Sequence, residues 1–358
     1  MRILVIICTG FVPWGGLTTV AMNYYRAMDK QGMIIDFASN NVPTQDLIDE
    51  LEKNGSQYIK LPPRKKIFSY DKKLCSILKG YDVVHIHGNS ATMSLELFPA
   101  VMCGVPKRIV HCHTTVPTAK KLSKFLRPVF LKMYTHAIAV SKEAGDWLYG
   151  EDNFVILNNA IPVSKYQFDL KERTRIRLEL GIGEGSVVIG NIAKINIQKN
   201  HTFILEIFQE IQKKLKGAKL LLVGDGPLRK QIEEKAKQLK IYDDIYFIGM
   251  SNTPTKWLQA MDYFLFPSNY EGFGLALLEA QANGVKCFAS DVIPALTNAT
   301  GKVKYISLKE SAEAWASEIC NTPMERMPND FIVKKFRDAY LDITTEAEHL
   351  KNIYEEKL

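Results

Sequence analysis

Several chemistries are missing from this 358-residue chain. Its six cysteines, Cys8, Cys75, Cys103, Cys112, Cys287 and Cys320, form no Cys-x-x-Cys pair. A chain of this length needs no disulfide staple, so they read as scattered reduced thiols of a cytosolic protein. No apolar run reaches the ~18 residues needed to span a bilayer. There is no low-complexity tract, no convincing repeat and no Asp-x-Asp, a common acidic metal-holding pair. With 46% hydrophobic and 24% charged residues, a disordered or collagen-like chain is excluded as well.

What is present is enough for two domains. The formal net charge is +7, and the whole excess lies in residues 1–180. A basic half points to an acidic partner: a membrane surface, a nucleic acid or an anionic substrate. The opening Met1-Arg2-Ile3-Leu4-Val5-Ile6-Ile7-Cys8 is too short for a secretory signal, and Thr9-Gly10 and Pro13-Trp14-Gly15-Gly16 follow at once. It reads as a buried strand running into a glycine loop.

Short apolar runs alternate with helical stretches. Ile3–Cys8, Val83–Ile86, Arg108–Cys112 and Ala137–Val140 predict buried strands in the first half. Val187–Ile192, Lys219–Val223, Ile245–Ile248, Tyr263–Phe266 and Cys287–Ala289 predict them in the second. Helical patterns cover Thr18–Lys30, His201–Leu215, Leu228–Lys240 and Phe331–Tyr354. Such alternation predicts parallel sheets with helices on both faces, hence two doubly wound α/β domains. The polar stretch from Pro162 to Gly185 marks the boundary. Ligands of such domains bind at the carboxyl ends of the strands, and a shared site would lie in a cleft between the two.

Five motifs follow strands. Gly15-Gly16 opens a helix and lets backbone N–H groups approach an anion, or makes a plain tight turn. His85-Ile86-His87 and His111-Cys112-His113 put two histidines on one strand face. No third ligand set of matching spacing accompanies them, so one histidine donating to a substrate fits better than a metal. Lys194 and Lys199 form a cationic pair beside a helix start, suited to a diphosphate. Gly224-Asp225-Gly226-Pro227 lacks the third glycine of a dinucleotide fingerprint.

The fifth motif runs from Pro267 to Gly284, with Glu271 in a Glu-Gly-Phe-Gly loop and Glu279 on the following Leu/Ala-rich helix. Both carboxylates can face one site, and a carboxylate accepts well from sugar or ribose hydroxyls. The loop amides would point at an anion.

At these residues the sequence resembles the retaining GT-B glycosyltransferases of family 4. The spacing from Glu271 to Glu279 matches their Glu-x7-Glu motif. The likeness extends over nearly the whole chain, and within the family is nearest to enzymes of bacterial exopolysaccharide and capsule assembly. It implies two Rossmann-like domains facing a central cleft. Residues 1–164 would bind the acceptor, residues 165–340 the nucleotide sugar, and a helix at about 341–358 would pack back on the first domain. Glu279 would hold the donor ribose, and Lys194 and Lys199 its diphosphate. Gly272, Phe273, Gly274 and Leu275 would offer amides, and Met250 would lie near the base. Glu271 and His113 would touch the transferred sugar, and Gly15 and Gly16 the phosphate and acceptor. Where the family commonly has Gly-Arg, this chain has Ala193-Lys194, which keeps the charge without the bidentate fork.

The expected reaction is metal-independent, retaining hexosyl transfer from a UDP-sugar to a glycan or lipid-linked diphosphate-sugar acceptor. No cofactor and no nucleic acid enter it. Its rivals are a nucleotide-sugar epimerase of the same architecture and a non-catalytic nucleotide-sugar-binding assembly partner. Two basic clusters, around Lys60–Lys73 and Lys120–Lys132, hold much of the charge excess. The second is interleaved with Leu122, Phe125 and Val129, which predicts a basic amphipathic helix kinked at Pro128. Docking at the cytoplasmic, anionic face of the cell membrane is therefore expected.

Overall fold

The computed structural model describes residues 1–358 apart from Trp14, 115–119, Glu151, Asp152, Asn252, Lys357 and Leu358. It divides into two units. One comprises Met1–Ala160 and Ile343–Leu358, the other Ile161–Asp342.

The first unit has a seven-stranded sheet among the described residues. Its strands are β1 (Arg2–Ile7), β2 (Ile34–Ser39), β3 (Tyr58–Lys60), β4 (Val83–Gly88), β5 (Lys107–Cys112), β6 (His136–Ala139) and β7 (Val155–Ile156). All pair in parallel, in the order β3-β2-β1-β4-β5-β6-β7. The helices are α1 (Gly16–Ala27), α2 (Gln45–Lys53), α3 (Ile67–Leu78), α4 (Ser94–Met102), α5 (Lys120–Phe130) and α6 (Lys142–Leu148). The chain moves one way across the sheet from β1 to β3, and the other way from β3 through β6. Right-handed crossovers therefore place α1 and α2 on one face, and α3, α4 and α5 on the opposite one.

The second unit has a six-stranded parallel sheet among the described residues. It holds β8 (Val188–Ile192), β9 (Lys219–Val223), β10 (Ile245–Gly249), β11 (Tyr263–Phe266), β12 (Lys286–Ser290) and β13 (Lys304–Ile306). The order is β10-β9-β8-β11-β12-β13. Its helices are α7 (Leu170–Glu179), α8 (His201–Lys214), α9 (Arg229–Gln238), α10 (Pro254–Trp257), α11 (Leu275–Asn283), α12 (Ala312–Cys320) and α13 (Asn329–Asp338). The central strands β8, β9 and β11 are buried almost throughout, because helices cover both faces.

The single helix expected over Phe331–Tyr354 is instead two: α13 and α14 (Ile343–Glu355). No proline or glycine breaks it. Tyr340 turns left-handed at φ 56°, which buries Leu341 and lets its carbonyl accept from Ile161 N–H at 3.0 Å. Tertiary packing outweighs helix propensity here. Helix α14 then packs on α1 of the first unit. Lys107 donates to the carbonyls of Ile353 (2.7 Å) and Tyr354 (3.1 Å) at its end, where a cation is favoured.

The Gly224-Asp225-Gly226-Pro227 motif joins loops. A Cβ on Gly224, already at φ +131°, would sit 2.1 Å from the Ala193 carbonyl oxygen, and one on Gly226 would sit 2.3 Å from that of Ile195. Glycine lets the β9 loop lie flush against the β8 loop. Ile195 N–H donates to the Asp225 carbonyl at 3.0 Å and holds the chain after β8 in place.

Candidate active site

Each sheet changes winding direction once, and ligands of doubly wound sheets gather at that point. In the second unit it lies between β8 and β11. The loops leaving these strands carry the Lys194–Lys199 and Glu271 motifs.

The two loops are laced together. Asn269 N–H donates to the Gln198 carbonyl at 2.8 Å, the Asn269 amide to Ile197 at 2.7 Å, and the Asn200 amide to Pro267 at 3.2 Å. This lacing sets Lys199 Nζ directly on Glu271 Oε1. Gln198 Nε2 reaches the other carboxylate oxygen at 3.3 Å. The ammonium also lies 4.8 Å from the Phe266 ring centroid. The Lys199 and Glu271 side chains are 17% and 6% exposed, so the pair is largely withdrawn from water and little screened by salt. Lys194 stands apart: it is exposed and forms no ion pair among the described residues. The structure thus unites Lys199 with Glu271 but not with Lys194.

Gly274 caps α11 at φ 94°, a conformation that favours glycine. The turn aims the first amides of α11, from Leu275 onward, out of the helix start. Phe273 points the other way, buried in the core, while Gly272 is exposed. Glu279 lies one turn into α11 and accepts from the Tyr166 hydroxyl at 3.0 Å. Burial pushes its carboxyl up to about 7, with Tyr166 working the other way. Tyr166 itself was not foreseen. Its only sequence signal is an aromatic residue in a polar linker. Met250 follows β10 and is exposed.

In the first unit the winding changes between β1 and β4. Gly15 caps α1 and Gly16 begins it. A Cβ on Gly16 would meet nothing within 4 Å, so packing does not require a glycine there. Trp14 of the same motif lies outside the described residues.

At the ends of β4 and β5 stand His85, His87, His111 and His113. Register pairs His87 with His111. His111 stacks on His113 at 4.1 Å between centroids, and His85 lies tilted by 33° against His87 at 4.2 Å. His87 Nδ1 and His113 Nε2 share a hydrogen bond of 2.9 Å, and His85 Nδ1 meets the Tyr354 hydroxyl at 2.7 Å. Burial lowers all four, His113 to about 4 and His85 to about 3. They are neutral near pH 7, and His113 presents an uncharged Nδ1 that makes no close hydrogen bond, with the Asn159 side chain acting on the ring to favour its charged form. His85, His87 and His111 bring three ring nitrogens within 4.8 Å of one another. That assembly is not evident from the dipeptide spacing alone.

Residues 14–164 match Glycosyltransferase Family 4, and residues 172–320 match Glycosyl transferases group 1. The putative glycosyltransferase EpsF of Bacillus subtilis (strain 168) is 28% identical over 95% of this chain and 93% of its own. The Escherichia coli UDP-Gal:alpha-D-GlcNAc-diphosphoundecaprenol alpha-1,3-galactosyltransferase is 27% identical over 59% of this chain and 58% of its own. The crystal structure of Anabaena Alr3699/HepE in complex with UDP superposes with a TM-score of 0.78 at 15% identity, covering 99% of this chain and 100% of that one. Two parallel-sheet units with these matches place the chain among the family 4 glycosyltransferases, with their GT-B fold.

Proposed function

We propose that the protein moves a hexose from a UDP-sugar to a saccharide or lipid-linked diphosphate-sugar acceptor in polysaccharide assembly, with retention and without a metal. The observation that carries this reading is the Lys199–Glu271 pair at the winding switch of the second unit, with Glu279 on the helix that follows. The relative that acts on UDP-Gal and a diphosphoundecaprenol acceptor, and the UDP complex of a structural neighbour, support the same donor and acceptor classes.

In this reading the bond between the anomeric carbon and the diphosphate oxygen breaks, the acceptor hydroxyl oxygen bonds to that carbon on the same face, and its proton passes to the departing diphosphate oxygen. Negative charge grows on the departing UDP. Lys199 and the amides at the start of α11 meet it, and preorganised charge of this kind supplies most of the acceleration in many enzymes. Glu271 holds Lys199 in place until the donor arrives. Glu279 accepts from the ribose, and His113 Nδ1 contacts the sugar without adding charge. Gly16, bare of a side chain, leaves its backbone open to the acceptor side. The first unit then serves the acceptor and the second the donor.

A panel of nucleotide sugars offered with and without a lipid-linked acceptor tests the proposal. Product should require a UDP-sugar and the acceptor, keep the donor's anomeric configuration, and form at the same rate in excess chelator. Epimerisation without acceptor would overturn it, as would full dependence on added metal.

Glu279 gives a sharper check. A carboxyl raised above its ordinary 4.5 favours the protonated folded form. Its stability contribution is present below about 4.5 and lost as pH rises through about 7. Glu279→Gln should therefore match the parent in thermal stability near pH 5 and exceed it near pH 8 by about 2 kcal/mol. The same change should weaken UDP binding about tenfold at pH 8, because a charged acceptor is lost. Equal UDP affinity by calorimetry would remove Glu279 from the donor site.

A further inference from the structure

Packing alone does not account for a histidine at position 87. The residue is buried on β4, and the small cavity it lines is otherwise bordered by Val5, Ala21, Phe37 and Leu350 among others. Among the described residues its side chain makes one hydrogen bond, between its Nδ1 and His113 Nε2 at 2.9 Å. The two ring centroids are 5.1 Å apart and the planes lie within 21° of each other. The difference between those two distances is nearly all that two ring radii supply, so both nitrogens point along the line joining the rings. The bond therefore runs edge to edge, as a well-aligned N–H···N contact requires. The sheet holds both backbones: the His87 carbonyl accepts from Cys8 N–H at 3.0 Å, and His113 N–H donates to the Gly88 carbonyl at 3.3 Å.

Both rings are neutral near pH 7, so each has one N–H and one bare nitrogen. A bond between them can run in two directions, and the direction decides what His113 offers at its other nitrogen. His113 Nε2 is taken up by His87, which leaves Nδ1 to face the Asn159 side chain. Asn159 acts on the ring to favour its charged form, the effect of an oxygen that accepts from a ring N–H. Asn159 Oδ1 and His113 Nδ1 are both buried, and neither makes a close hydrogen bond. The segment carrying Asn159 is fixed by α1: the Tyr24 hydroxyl donates to the Asn158 carbonyl at 2.5 Å, and the Asn23 amide to the Ala160 carbonyl at 3.4 Å. An acceptor on that side favours the proton on Nδ1. Nε2 is then bare, and His87 Nδ1 is the donor.

We propose that His87 is a positioning residue for the transfer reaction: it donates from Nδ1 to His113 Nε2, which fixes the His113 proton on Nδ1 and makes that nitrogen a donor to a sugar hydroxyl. The inference rests on the reading of His113 as the histidine that contacts the sugar, and deepens it. His87 itself touches no substrate. Without it the His113 proton is free to sit on either nitrogen, and the sugar meets a bare Nδ1 part of the time.

Asparagine and leucine are close in size, and only asparagine keeps an N–H where Nδ1 stands. His87→Leu should lower kcat/KM for the UDP-sugar that the panel selects about tenfold, and His87→Asn should recover most of that loss. Thermal stability should run the other way, because leucine suits the apolar cavity and asparagine buries an amide there. Affinity for UDP by calorimetry should stay at the parental value in both, since UDP lacks the sugar. In a His113→Ala background, His87→Leu should cause no further loss of kcat/KM. The 15N spectrum of the labelled protein needs no donor. There His113, assigned by the signals that His113→Ala removes, should carry N–H on Nδ1 and a bare Nε2, and should lose this single tautomer in His87→Leu. If the parent transfers no sugar, the catalytic reading fails and the spectrum still decides the direction of the bond. A His113 proton on Nε2 in the parent would overturn the proposal. So would equal kcat/KM in the leucine and asparagine variants, or a loss from His87→Leu that persists in full without His113.

Discussion

Lys199→Ala should lower kcat roughly a hundred- to a thousandfold while moving the donor KM far less. Among the described residues, Lys199 is the cation held in an ion pair at the winding switch of the second unit. Its ammonium is held by Glu271, backed by the Phe266 ring, and carried on a loop sewn to its neighbour by Asn200 and Asn269. A charge held before the reaction costs nothing to reorganise as the leaving group departs. The substitution also strands a carboxylate that is only 6% exposed, so some stability is lost with it. The two effects separate in a double-mutant cycle. If Lys199 served only to neutralise Glu271, the Lys199→Ala, Glu271→Gln enzyme would regain turnover. Here it should regain thermal stability and stay slow. Turnover within about twofold of the parent in Lys199→Ala would end the leaving-group assignment.

The second large effect is a collapse of the first unit in mild acid. His85, His87, His111 and His113 all have pKa values below their ordinary 6.5, because burial penalises each imidazolium and, in His85, His87 and His111, neighbouring rings repel it as well. Below 6.5 the unfolded chain takes up protons that the folded unit refuses, so stability falls as pH falls. Each group contributes about 1.4 kcal/mol per pH unit once its unfolded form is charged, or about 5.5 kcal/mol per unit for all four. That slope needs only that the folded values lie well below the unfolded ones. A typical stability of about 5–15 kcal/mol would then be exhausted near pH 5. Glu279 in the other unit, and Asp71 and Glu346 in the first, are raised by burial and titrate in the opposite sense, but the four fully buried histidines outnumber them. Urea midpoints between about pH 7.5 and about pH 5.5 should drop steeply, and His111→Leu should flatten the slope. Midpoints that do not change over this range would refute the account.

The long, wholly apolar strands were legible in the sequence, and Lys219–Val223 and Tyr263–Phe266 coincide with β9 and β11. Strand β2 was not, because Asp36 interrupts its apolar run. Only the structure shows what answers that charge: the Tyr81 hydroxyl at 2.6 Å, Gln57 N–H at 2.9 Å and the Arg2 guanidinium at 3.3 Å. Strands β3, β7 and β13 are two or three residues long, too short for any periodicity. At the candidate site, residue types and strand-end positions were legible, but pairings were not. Lys199 and Glu271 are 72 residues apart, and the lacing that joins them is made mostly of backbone carbonyls. The partnership of His87 with His113 depends on strand register, which a two-residue spacing does not encode.

The membership of α14 in the first unit bears on how the protein is made. The second unit is one continuous stretch, Ile161–Asp342, and holds all its own strands and helices when the ribosome reaches its end. The first unit does not. Until Ile343–Glu355 has been synthesised, the face carrying α1 lacks Tyr354 over His85, and Lys107 lacks the carbonyls that receive it. Domains usually fold in the order they emerge. In this chain the half that emerges first completes its fold last, and His85 lacks its Tyr354 partner for the whole time the second unit is being translated.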